Sequence, residues 1–142
     1  MAQAFTTTRR IEFADTDMAG LIHFSCFYRL MEEAEHEFLR SMGTSVIDRQ
    51  DDGTTVSWPR LSAECSFHAP VLFEDELEIR ISVRHLGNSS LTLAYEFRRD
   101  ESLVAQGVMK TVCCQVTGGS ELKSMTIPEP LHSRLAELEV AE

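Results

Sequence analysis

SCFYRLMEEAEHEFLRSMG, residues 25–43, decides the fold. Phe27, Leu30, Met31, Ala34, Phe38, Leu39 and Met42 recur at three- and four-residue steps, which places them on one face of an α-helix. The spacing predicts a helix from about Ser25 to Met42, and Gly43 suits the left-handed position that ends one. Outward from this stretch the period drops to two. Upstream, Phe5, Thr7, Arg9, Ile11 and Phe13 share one face of a predicted strand over 5–13. Downstream, Leu61, Ala63, Cys65 and Phe67 alternate, followed by Leu77, Ile79, Ile81 and Val83, then Leu91, Leu93, Tyr95 and Phe97. GNSS (87–90) and RDES (99–102) read as the hairpin turns that separate the later strands.

A last strand is predicted over about 103–117, with Val104, Val108, Val112, Cys114 and Val116 on one face and Leu103, Ala105, Met109 and Cys113 on the other. Apolar residues on both faces imply cover from a partner subunit. Polar TSVIDRQDDGTT (44–55) reads as a loop with a short helical turn, and PEPLHSRLAELEVAE (128–142) as a short amphipathic helix. A sheet with one apolar face must bury it, and the long helix is the one large element able to fill the concavity. The expectation is a single α+β domain spanning 1–142, an antiparallel sheet wrapped around a long central helix.

Composition narrows function. Hydrophobic content of 43% and charged content of 25% are globular values. A net charge of -10 argues against a nucleic-acid partner, which calls for a basic face, and against an anionic membrane surface. No stretch approaches the length of a membrane span or a signal-peptide core. Cys26, Cys65, Cys113 and Cys114 show no CxxC pairing or secreted-scaffold spacing, which fits reduced thiols in a cytoplasmic protein.

The candidate chemistry sits just before the helix, in FADTDMAGLIHF (13–24). Asp15 and Asp17 have two readings. Asx side chains with Gly20 can shape a tight turn. Alternatively, Asp17 reacts, because a helix N-terminus beside it offers unpaired N–H groups to a developing oxyanion. A metal held by Asp15, Asp17 and His23 lacks a completing ligand cluster, so no metal is expected. His23 can be a partly buried ring or can line a pocket, and Cys26 can be a small hydrophobe or a thiol activated in the first helical turn. EEAEHE (32–37) reads as a mainly solvated helix face with an Arg29–Glu33 pair, although Glu32 or Glu33 can approach a neighbouring subunit's pocket. LGNSS (86–90) is a hairpin turn whose Ser89, Ser90 and amides can also contact a phosphate, with charge from Arg84 and His85.

FADTDMAG, the helix ending in EFLRSMG, FHAPVLFEDELEI and LGNSSLT together resemble the hotdog-fold acyl-CoA thioesterases of the 4-hydroxybenzoyl-CoA thioesterase type, from Arg10 to about Val116. The resemblance implies thioester hydrolysis without metal or organic cofactor, in homodimers or homotetramers with active sites at the subunit interface. It implies Asp17 as nucleophile or general base and the Phe24 amide as oxyanion donor. Gly20, His23, Arg84, Asn88, Ser89 and Ser90 are the expected contacts to an acyl-CoA substrate. The chain departs from the family pattern at His23 and Phe24, and carries Asn88 where a basic residue is common. The rival expectations are a thioesterase acting on acyl carrier protein and an acyl-CoA-binding protein without turnover.

Overall fold

The computed structural model describes residues 4–118 and 121–140. In chain order the elements are β1 (Phe5–Arg10), α1 (Cys26–Ser41), β2 (Ile47–Arg49), β3 (Thr55–Ser57), β4 (Arg60–Phe67), β5 (Glu76–Leu86), β6 (Ser90–Arg99), β7 (Ser102–Val112), β8 (Cys114–Thr117), β9 (Glu121–Ser124) and α2 (Leu131–Leu138). The main sheet is antiparallel with strand order β1-β5-β6-β7-β4.

The predicted apolar stripe of α1 is buried at Phe27, Leu30, Met31, Ala34, Phe38 and Leu39. It shares one hydrophobic cluster with Leu77, Ile79, Ile81, Leu93, Tyr95, Phe97 and Met109 of the sheet. Each such side chain contributes about 1.5–3 kcal/mol when fully buried, so this face outweighs any local helix preference. Gly107 sets how closely the helix approaches. A Cβ there would run into Met31 Sδ and lie 3.0 Å from the Glu64 carbonyl oxygen. The α+β reading from the sequence is correct.

Four local expectations are revised. The first strand stops at Arg10, because the Asp15 carboxylate accepts the Glu12 amide at 2.8 Å and turns Phe13–Asp15 into a single 3-10 turn. Phe13 therefore leaves the buried face that Ile11 occupies. The polar stretch 44–55 holds β2 and the first residue of β3 rather than a helical turn, and both join a second sheet of order β2-β3-β8-β9. The last strand divides at Cys113, whose amide donates to the Ser89 carbonyl at 2.7 Å while β8 passes into the second sheet. That break explains why Cys113 and Cys114 are both buried within one chain; Val108 and Val112 remain half-buried on the sheet face away from α1. At the C-terminus α2 is shorter than the stretch proposed for it, and residues 141 and 142 lie outside the described residues.

The hairpins lie where the turn residues place them. Asp100 and Glu101 both take positive φ (47° and 74°), the two-residue turn whose twist matches the flanking strands. Gly43, at φ +86°, follows the helix end as expected.

Candidate active site

Asp15 is the anchor of the loop that precedes α1. It is buried, and its carboxylate bonds the Glu12 amide and the Arg29 guanidinium on α1. Its carbonyl accepts the His23 amide at 2.8 Å and faces the Cys26 thiol at 3.5 Å. Arg29 continues to Glu33 (2.8 Å), the i,i+4 pair anticipated from the sequence, and Glu33 and Glu37 both bind Arg9 of β1 (3.0 and 2.9 Å). Partial burial works against the Glu33 charge, yet the Arg9 and Arg29 hydrogen bonds outweigh it and hold its carboxyl below the usual range. A chain of alternating charges thus ties the loop to the helix and to β1.

Between Asp15 and α1 the backbone forms a small hairpin. Thr16 and Ile22 pair, the Asp17 amide donates to the Leu21 carbonyl at 2.8 Å, and Gly20 supplies the turn with φ +82°. Asp17 is exposed. Its Oδ1 accepts the Ala19 and Leu21 amides at 2.9 and 3.3 Å, and its Oδ2 has no hydrogen-bond partner among the described residues. The turn-forming account and a free carboxylate oxygen therefore coexist in one side chain.

The far side of this hairpin is braced by residues 70–75. Ile22 donates to the Val71 carbonyl (2.8 Å) and Leu21 pairs with Leu72. Asp75 fixes the brace: its Oδ2 accepts the Leu72 amide (2.8 Å) and Arg99 Nη1 (2.7 Å), and Arg99 also reaches the Pro70 carbonyl (2.9 Å). Neither Asp75 nor Arg99 stood out in the sequence, since they lie on opposite sides of two strands.

Phe24 occupies the turn two residues before α1 begins. Its carbonyl accepts the Phe27 amide at 3.3 Å, while its own N–H finds no acceptor among the described residues. His23 is exposed, its ring stacked on Phe24 at 4.7 Å. Its Nδ1 accepts the Ser25 amide at 3.3 Å, which in the neutral ring places the proton on Nε2. Asp17, Gly20, His23 and Phe24 thus share one loop with a free carboxylate oxygen and a free amide.

Arg84, Asn88, Ser89 and Ser90 lie elsewhere. The turn holding Asn88 and Ser89, with Ser90 opening β6, joins the far end of β5, about 33 Å along the strand from Asp75. Its carbonyls face the chain's own later segments: Asn88 accepts the Ile127 amide (2.9 Å) and Ser89 the Cys113 amide. Exposed Arg84 lines a groove of about 560 Å³ on the sheet face away from α1, with Ser82, Glu64, Glu96 and Gln106. No contact joins this group to the Asp17 loop within one chain among the described residues.

Two sequence alternatives find no support in the geometry. Asp15 spends its oxygens on Arg29 and the Glu12 amide, and no group of three metal-ligating side chains forms among the described residues. The EEAEHE stretch is not mainly solvated. Glu35 is 2% exposed and takes a bidentate bond from Arg60 at 2.6 and 3.0 Å, with burial raising its carboxyl above the ordinary range against the pull of that cation. Arg60 comes from 25 residues downstream, so helix periodicity gave no sign of the pair.

Residues 11–135 match the model of the thioesterase-like superfamily. A 1,4-dihydroxy-2-naphthoyl-CoA hydrolase of Microcystis aeruginosa is 31% identical over 134 residues, covering 94% of each chain. Among solved structures, a gentisyl-coenzyme A thioesterase aligns with a TM-score of 0.77 at 29% identity, over 92% of this chain and 99% of that one. A 1,4-dihydroxy-2-naphthoyl-CoA thioesterase from Synechocystis gives 0.78 at 26% identity, over 94% and 96%. These neighbours share the hotdog arrangement, the antiparallel sheet with α1 packed on it. The chain belongs to the thioesterase-like superfamily of hotdog proteins.

Proposed function

We propose that this protein is an acyl-CoA thioesterase, converting R-CO-S-CoA and water to a carboxylic acid and CoA. One observation carries the reading: among the described residues, an exposed carboxylate with an unbonded oxygen, Asp17, shares a short braced loop with the unpaired amide of Phe24. As general base, Asp17 draws a proton from water as the oxygen adds to the thioester carbon. As nucleophile, its Oδ2 adds instead, CoA thiolate leaves, and water cleaves the resulting anhydride. In both routes the Phe24 N–H, at the positive end of α1, receives the developing oxyanion. These are the roles held by the 4-hydroxybenzoyl-CoA thioesterase type. The relatives named for dihydroxynaphthoyl-CoA and gentisyl-CoA put aromatic acyl-CoAs first in a substrate panel.

The nucleotide end of CoA falls to Arg84, Asn88, Ser89 and Ser90. Because these residues sit far along β5 from Asp17, the reading requires a second subunit to bring its own turn to the site. The main sheet ends in β4, an edge strand with open backbone groups and an exposed Leu61, which suits antiparallel pairing with its own copy. The working unit is a homodimer that can pair into a tetramer, and light scattering that finds an active monomer at micromolar protein overturns it. The four cysteines are unpaired, which supports a cytoplasmic location; no helix among the described residues is long and apolar enough to cross a membrane.

Asp17→Asn tests the chemistry. It keeps the Oδ1 acceptor that orders the turn and removes the charge. Turnover should fall about a hundredfold or more, in line with loss of a general base, while folding and assembly persist. A folded, assembled and fully active Asp17→Asn protein refutes the mechanism.

A further inference from the structure

We propose that His132 of α2 is a positioning residue for the CoA end of the substrate, holding the turn after β5 with its amides facing outward. The inference rests on the thioesterase reading above. His132 Nε2 lies 3.1 Å from the Gly87 carbonyl oxygen, across 45 residues of chain. A carbonyl can only accept, so the ring carries its proton on Nε2.

This contact is one of three that act on consecutive peptide groups. The Asn88 carbonyl accepts the Ile127 amide at 2.9 Å, and the Ser89 carbonyl accepts the Cys113 amide at 2.7 Å. In a planar trans peptide the N–H points opposite to the C=O. The Gly87 and Asn88 carbonyls are both drawn toward the segment that leads into α2, so the Asn88 and Ser89 amides are turned the other way. Neither amide finds an acceptor among the described residues. Successive outward N–H groups of this kind suit an anionic oxygen. Backbone amides hold Asn88 and Ser89, whereas a side chain alone holds Gly87. The Gly87 amide donates to the Ser90 carbonyl at 2.9 Å, but among the described residues no amide of the turn returns a bond to the Gly87 carbonyl.

The element that carries His132 is itself fixed. Leu131 and Leu135 of α2 are buried, the Val140 amide donates to the Val83 carbonyl of β5 at 3.0 Å, and Glu139 Oε2 accepts the Leu86 amide at 2.8 Å. α2 is thus tied to the strand that leads into the turn. Loss of the His132 bond frees the peptide group between Gly87 and Asn88 to rotate. CoA must then order it on binding, while Asp17 and the Phe24 amide are untouched. One neutral hydrogen bond changes an equilibrium constant by up to about tenfold.

The test separates nucleotide binding from chemistry. CoA is titrated calorimetrically into the intact protein, alongside kcat and KM for benzoyl-CoA and for S-benzoyl pantetheine, which lacks the phosphates and the nucleotide. His132→Leu should weaken CoA binding and raise KM for benzoyl-CoA, each about five- to tenfold, with kcat within about twofold. Its kcat/KM for the pantetheine thioester should stay within about twofold. His132→Gln presents a neutral N–H and should recover most of the affinity, which separates the hydrogen bond from any charge on the ring. His132→Ala takes the place of the leucine variant where leucine disturbs α2. Unchanged CoA affinity in a folded, assembled His132→Leu or His132→Ala, an equal loss of kcat/KM with the pantetheine thioester, or a glutamine variant no better than leucine overturns the positioning role. CoA binding that weakens as expected, in a protein that hydrolyses neither thioester, overturns the thioesterase reading instead.

Discussion

Replacing Arg60 with Met isolates the ion pair that holds β4 to α1. The change removes two charge-assisted hydrogen bonds to Glu35, at 2.6 and 3.0 Å, and a longer one to exposed Glu32 at 3.4 Å, and leaves the Glu35 carboxylate buried at 2% exposure. Opposite unit charges about 4 Å apart attract by about 4 kcal/mol at an effective dielectric near 20, and breaking one side of a buried pair costs about 3–5 kcal/mol. Arg60 keeps 27% of its side chain exposed, so the lower end, about 3 kcal/mol, applies. For a chain of this size that lowers Tm by on the order of 10 °C.

The loss depends on pH in a definite direction. Burial already raises the folded-state Glu35 carboxyl above its unfolded value, against the attraction of Arg60. A group raised in this way stabilises the native state in acid, and that contribution is lost as pH rises from the unfolded value through the folded one. Without Arg60 the carboxyl rises further, so the variant should lose most near pH 8 and recover part of its stability near pH 5, as Glu35 takes up a proton. Glu35→Leu together with Arg60→Met should restore much of the loss, since an apolar replacement leaves no stranded charge. Urea unfolding at both pH values, with Tm by calorimetry, measures these effects. A Tm at pH 8 within about 2 °C of wild type, or a penalty that deepens in acid, refutes the reasoning.

Gly107→Ala should cost about 1–3 kcal/mol, because the new methyl meets both Met31 and the Glu64 carbonyl. An unchanged urea midpoint would show that Met31 moves aside freely. Arg99→Met should lower kcat several-fold while Tm barely changes: the Asp75 pair is partly exposed and contributes about 1 kcal/mol or less, yet it orients the segment that braces the Asp17 loop. Unaltered kcat would mean that the Val71–Ile22 hydrogen bond is a sufficient brace.

The long helix, the main strands and the hairpins were legible in the sequence because each rests on a local repeat. Phe27, Leu30, Met31, Ala34 and Phe38 mark one helical face without reference to anything distant, and alternation in 77–83 and 91–97 does the same for β5 and β6. The D-x-D-x-x-G loop was legible too, since the turn at Gly20 and the Asx bonds of Asp17 span only a few residues. Tertiary structure alone decided the rest. Glu35 of α1 is buried because Arg60 arrives from β4, and helix periodicity cannot register a counter-ion 25 residues away. The strand expected over 103–117 divides at Cys113 because Ser89 takes its amide, a partner that no run of apolar residues reveals. Phe67 stands beside Phe24 because β4 pairs with the end of β7, carrying a ring across the sheet to the mouth of the helix. Local periodicity fixes which face of an element is apolar. Only packing fixes which charges and rings from distant segments meet there, because those contacts depend on strand order and register.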